Sequence, residues 1–86
     1  MDIFILDSAY KHNITRESIL YCLLHLHNDI VIDDVLAKRL FVGFDHIGKA
    51  LEIIAIVDEE QNRLIVIHAM GLRKQFFYLL LNEGTL

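Results

Sequence analysis

Glu52, His68 and Arg39 stand out in the second half of this 86-residue chain, because each interrupts an otherwise apolar stretch. A carboxylate beside an imidazole favours the protonated ring and fixes its orientation. An ordinary imidazole titrates at about pH 6.5, so it gives or takes a proton near neutrality. An arginine nearby binds a phosphate bidentately and offsets negative charge as it develops. A base for the 2′-hydroxyl, an acid for the leaving oxygen and a cation for the phosphorane are what cleavage of an RNA strand needs. The plainer alternative is a cross-strand polar pair on an exposed face.

Other polar residues are weighed in the same way. Arg73 and Lys74 form a basic pair just past Gly71. Exposed amides and cations at a helix start make an anion site, although cations there oppose the helix dipole. An ordinary solvated face explains them equally well. Lys11 and His12 close a short helical turn, where positive charge is favourable in any case. His25 and His27 are two apart on a predicted helix, so they diverge and make poor joint metal ligands. His46 falls in a turn. No glycine-rich phosphate loop, paired-cysteine zinc pattern or Gly-x-Ser-x-Gly elbow occurs, so no cofactor and no metal is expected.

The elements that must position these groups are read from periodicity and caps. Residues Ile3 to Leu6 have the pattern of a short strand. Asp7 and Ser8 suit the N-cap of a helical turn over Ala9 to His12, and Asn13 can stop it in a left-handed conformation. Thr15 is the N-cap of a second helix, with Glu17 in its first turn and Ile14 and Ile19 spaced as a hydrophobic staple. Ile19, Leu20, Leu23, Leu24 and Leu26 supply its apolar face, and Asn28 ends it. Asp29 to Ala37 stays open: Ile30 and Ile32 alternate like a strand, whereas Asp33 to Lys38 suits a helical turn. Three strands follow, at Arg39 to Phe44, Lys49 to Val57 and Leu64 to Met70. Asp45 to Gly48 forms a turn between the first two, and Asp58 to Asn62 a polar hairpin loop between the last two. Gly71 breaks the last strand. A helix over Leu72 to Leu81 presents Leu72, Phe76, Leu79 and Leu80 on one side.

Register turns this into geometry. A loop symmetric about Glu60 pairs Val57 with Arg63 and sets Glu52 opposite His68. Directly opposed side chains have Cβ atoms about 4.5–5.5 Å apart. A symmetric Asp45–Gly48 turn sets Phe41 opposite Glu52, and Arg39 then shares their face. A slip of one residue sends Arg39 to the other side. One predicted face holds Leu40, Val42, Leu51, Ile53, Ala55, Ile65 and Ile67. The other holds Phe41, Ile54, Ile56, Leu64 and Val66, with Arg39, Glu52 and His68 towards one end.

Composition sets the outer limits. The length is that of one domain. Hydrophobic residues make up 55% of the chain, against about 45–50% in an average domain. In a small domain that excess implies an exposed apolar patch, hence a homo-oligomer or a protein partner. No apolar run approaches the roughly 18 residues of a membrane span, and Met1 to Asp7 lacks the basic start of a signal peptide. Cys22 is the single cysteine and lies among leucines, so it reads as a small hydrophobe in a reducing, cytoplasmic protein. The net charge of −4 argues against a generic nucleic-acid binder, and DNA is not expected as a direct partner. A local basic cleft remains compatible with it.

Some of these residues are similar to a known group. Ala9-Tyr10-Lys11-His12-Asn13-Ile14-Thr15 resembles the lysine–histidine opening of small bacterial toxins of the BrnT group. Val42-Gly43-Phe44-Asp45 and Leu51-Glu52-Ile53 resemble their first hairpin, and Ile67-His68-Ala69-Met70 with Arg73 resembles the final strand and helix start. The order of elements resembles the RelE/ParE superfamily. The resemblance implies an α+β fold with a short N-terminal strand, two helices, a three-stranded antiparallel meander and a C-terminal helix. It implies an endoribonuclease, acting alone or on the ribosome, as the toxin of a type II toxin–antitoxin pair with a protein antitoxin. In that reading Arg39 and Arg73 bind phosphate, His68 is the acid or base, Glu52 orients it and His12 assists. The chain is acidic where such toxins are basic, and Asn13 stands where the group has glycine. The alternative is a non-catalytic interaction module of the same fold, including one that inhibits a protein target as ParE does.

Overall fold

A computed structural model describes residues 1–81. The chain is α+β, with five strands in one mixed sheet and two helices. β1 (Asp2–Ile5) leads through a 3-10 turn at Asp7–Tyr10 to α1 (Arg16–Leu24). β2 (Leu26–Asp33), β3 (Lys38–Phe44), β4 (Ala50–Asp58) and β5 (Arg63–Gly71) follow. A 3-10 turn at Lys74–Phe76 and α2 (Tyr78–Leu81) close the described chain. The strand order is β1-β5-β4-β3-β2, with β1 parallel to β5 and every other pair antiparallel. No described helix is long and apolar enough to cross a membrane.

The N-terminal half follows its caps. Thr15 Oγ1 accepts the Ser18 amide at 3.1 Å, as an N-cap should. Ile14 and Ile19 are buried in one cluster. Asn13 has φ 64° and Gly48 φ 89°, the left-handed conformations expected of both.

Two helical expectations are corrected. α1 ends at Leu24 rather than Asn28, with Leu24 exposed and Leu26 already in a strand. The close approach of α1 to Gly43 forces this: a Cβ there would lie 3.0 Å from Cys22 Sγ and 3.3 Å from the His25 carbonyl. The chain reverses at that contact, and the β-branched run Ile30-Val31-Ile32 becomes a sheet edge beside β3. The open segment Asp29 to Ala37 is therefore strand and then turn. The continuous helix over Leu72 to Leu81 is also absent. The Leu72 amide donates to the Ala50 carbonyl at 3.0 Å and the Arg73 amide donates to Glu52 at 2.9 Å. Both amides hold the backbone extended, so helical turns begin only at Lys74.

The sheet has an apolar layer on each side. α1 and the first 3-10 turn cover Phe41, Leu51, Ile53, Ala55, Leu64, Val66 and Ala69, packing Ala9, Ile19, Cys22 and Leu23 against them. A smaller cluster of Leu40, Val42 and Leu79 lies on the other side, with Ile54, Leu72, Phe76 and Leu80 against it. These faces differ from the predicted ones by one-residue slips between β3 and β4 and at the β4–β5 hairpin, where Val57 opposes Leu64. Val42 opposes Glu52, and Phe41 opposes Ile53. The connection is five residues long, from Asp45 to Lys49, because the buried Asp45 carboxylate accepts the amides of Ile47 at 3.0 Å and Lys49 at 2.8 Å.

Candidate active site

Glu52 lies in the middle of β4 and is fully buried. Its direct neighbours are Val42 on β3 and Met70 on β5, so His68 is not opposite it. His68 instead opposes Ile54. The hairpin pairs Asp58 with Arg63, one residue tighter than expected, and a bulge at Ile67 adds a residue to β5. Each shift alone would move His68 across the sheet. Together they displace it by two positions and leave it on the face of Glu52, where diagonal neighbours remain within reach. His68 Nε2 lies 3.0 Å from Glu52 Oε2.

Arg73 completes the cluster by folding back over β4 from the end of β5. Its Nε lies 3.1 Å from Oε1 and 3.0 Å from Oε2, and its Nη2 lies 2.7 Å from Oε2. With the Arg73 amide and His68, five hydrogen bonds converge on one carboxylate. A buried carboxylate needs such partners. Burial by itself pushes the Glu52 carboxyl up, but the Arg73 and His68 hydrogen bonds and the Arg73 charge outweigh it and hold it below the ordinary range. The same hydrogen bond and charge raise Arg73, against a small opposing effect of burial. The guanidinium carbon also sits 5.4 Å from the Phe76 ring centroid, a cation–π contact that sequence reasoning missed. The spacing of three residues between Arg73 and Phe76 is the only signal for it.

His12 arrives from the opposite side. The turn that carries it docks on β5 through Ser8 Oγ, which donates to the bulged Ile67 carbonyl at 3.0 Å. The left-handed Asn13 then ends the turn with the His12 ring 5.6 Å from the His68 ring, edge to face. The structure thus joins His12, His68, Glu52 and Arg73.

Arg39 is excluded from this group. It opposes Ala55, on the α1 side of the sheet, and its Nε donates to Asp29 at 2.7 Å. The one-residue slip between β3 and β4 puts it there. Lys74 begins a 3-10 turn in place of the predicted helix start and is exposed. Among the described residues no group of three or more histidine, cysteine, aspartate or glutamate side chains could hold a metal ion.

The chemistry follows from the tautomer. A carboxylate only accepts, so His68 donates from Nε2, and the neutral form of the ring has its lone pair on Nδ1. Among the described residues Nδ1 has no hydrogen-bond partner. The site therefore offers an oriented imidazole base, a second imidazole beside it, and a guanidinium whose Nη1 takes no part in holding Glu52. Searches of family models, curated proteins and solved structures give no match to this chain.

Proposed function

We propose that the chain is an endoribonuclease of the kind found in bacterial toxin–antitoxin pairs, acting through His68, His12 and Arg73. In this reading His68 Nδ1 takes the proton of a ribose 2′-hydroxyl, whose oxygen attacks the adjacent phosphorus. Protonated His12 gives its proton to the departing 5′-oxygen, leaving a 2′,3′-cyclic phosphate and a 5′-hydroxyl. Arg73 stabilises the phosphorane through its free Nη1 edge. Glu52 touches no substrate and acts as a positioning residue. The observation that carries the reading is the buried Glu52 carboxylate fixing one nitrogen of His68, with the ring beside His12 and its other nitrogen without a partner among the described residues. A carboxylate that orients an imidazole base is also the arrangement of the Ser-His-Asp triad.

A type II toxin has a protein antitoxin, and the surface favours a protein partner or a second copy of the chain. Val35 is 93%, Ile47 77% and Leu24 73% exposed, a large apolar display for so small a domain. That display also favours a second reading, in which the chain is an interaction module and Glu52 only clamps Arg73 over the sheet. Induction in bacteria separates the two. Growth arrest with loss of RNA, abolished by His68→Ala and by Arg73→Ala, supports the nuclease. Unimpaired growth, or arrest with intact RNA, supports the module.

A further inference from the structure

Charge and ring placement are segregated along the sheet. Asp2, Asp33, Asp34, Asp58, Glu59 and Glu60, half of the 12 acidic residues, gather where β4 meets β5 and β2 meets β3. All five histidines lie from the middle of the sheet to the opposite end. The net charge of −4 therefore does not describe the end that carries the site.

At that end three rings outside the His68 cluster form an ordered group. Tyr21, on α1, stacks on His25 with centroids 4.2 Å apart and planes 25° from parallel. His46, on the β3–β4 loop, meets Tyr21 edge to face at 6.1 Å. All three residues are exposed. One ring, and the loop that carries another, are nevertheless held. His25 Nδ1 donates to the Tyr21 carbonyl at 2.9 Å. The loop presenting His46 is held by the buried Asp45 carboxylate and by the Gly48 amide, which donates to the Asp45 carbonyl at 3.0 Å. Lys49 ends the same loop and has no carboxylate partner among the described residues.

Exposed, pre-ordered rings contribute nothing to either core cluster. An exposed aromatic ring stacks on another planar group, and an unpaired cation on the same loop takes a phosphate. Aromatic stacking with an adjacent positive charge is how single-stranded nucleic acid is held without base readout. We infer that Tyr21, His25 and His46 form a base-stacking platform for single-stranded RNA, with Lys49 on the backbone. The inference rests on the nuclease reading for its choice of RNA, and it names the substrate class as unpaired strand.

The test is fluorescence anisotropy with a labelled single-stranded RNA of roughly 12 nucleotides, 2′-O-methylated so that it cannot be cleaved. Wild type, Tyr21→Leu, His25→Ala and Arg39→Ala are compared, with circular dichroism melts to establish that each folds; Arg39 pairs with Asp29 outside both sites. Tyr21→Leu keeps the apolar bulk and removes the stacking face. The expected result is binding weakened roughly 5- to 150-fold by Tyr21→Leu and by His25→Ala, with little change for Arg39→Ala. Wild-type strength in folded Tyr21→Leu and His25→Ala overturns the platform, as does a wild type that does not bind. Cleavage of unmodified RNA by the wild type separates the two proposals. Loss of binding in Tyr21→Leu without any wild-type cleavage leaves the platform standing and removes the nuclease. Cleavage with unchanged binding in the two platform variants does the reverse.

Discussion

Replacing Glu52 by glutamine tests the cluster without changing its shape. The amide keeps one acceptor and turns the other oxygen into a donor. In the wild type Oε1 accepts the Arg73 amide and Nε, while Oε2 accepts His68 Nε2, Arg73 Nε and Arg73 Nη2. Whichever way the amide is flipped, its NH2 group faces a donor. The Glu52 side chain is fully buried, so water does not replace the hydrogen bonds it loses. Bonds to a charged acceptor contribute about 1.5–3 kcal/mol each, and an unsatisfied buried group costs about 1–3 kcal/mol. Relaxation of the half-exposed Arg73 returns part of this, so Glu52→Gln is expected to cost about 3 kcal/mol. In a domain of this size that lowers Tm by roughly 12–24 °C.

The pH dependence follows from the same carboxylate. Its folded value is held below the ordinary one of 4.5. Its stabilisation is therefore complete above the unfolded value and is lost as pH falls through the lower, folded one. Urea unfolding of wild type between pH 7 and pH 3 should show stability falling in that acid range, and Glu52→Gln should flatten this limb. A variant within about 1 kcal/mol of wild type at pH 7, with an unchanged acid limb, would refute the view that Glu52 anchors the site.

Further expectations come from other parts of the molecule. Arg39→Ala should leave RNA cleavage unchanged in a gel assay, because Arg39 pairs with Asp29 on the far side of the sheet. The Cys22 thiol is pushed up to about 12 by burial and, less strongly, by Asp45. It should resist iodoacetamide at pH 8 in the folded chain and react once urea unfolds it. Gly43→Ala sets a methyl 3.0 Å from Cys22 Sγ and 3.3 Å from the His25 carbonyl. Urea titration should show a loss of about 1–3 kcal/mol.

Much of the fold was legible where a single residue carries a local rule. Thr15 caps α1, and Asn13 and Gly48 take positive φ, as their chemistry demands. The three strands from Arg39 to Met70 appear within a residue or two of their expected bounds. What was not legible depends on partners distant in sequence. Nothing local shows that the Ala50 carbonyl and the Glu52 carboxylate will take the amides of Leu72 and Arg73 and so shorten the last helix. Nor does local pattern show that Gly43 will let α1 approach and turn early into β2. Registers were harder still. The contact between Glu52 and His68 was expected from a register wrong by two residues, and it forms because the tighter hairpin and the Ile67 bulge preserve parity. Arg39 had only one such shift, uncompensated, and left the site.

The most direct measurement is cleavage of a single-stranded RNA by the purified chain, with product ends identified by mass spectrometry. Wild type should yield 2′,3′-cyclic phosphate ends. His68→Ala and His12→Ala should each lose roughly 10²- to 10⁴-fold in rate while retaining the fold. A wild type that leaves RNA intact, or a folded His68→Ala that cleaves at the wild-type rate, would contradict the account.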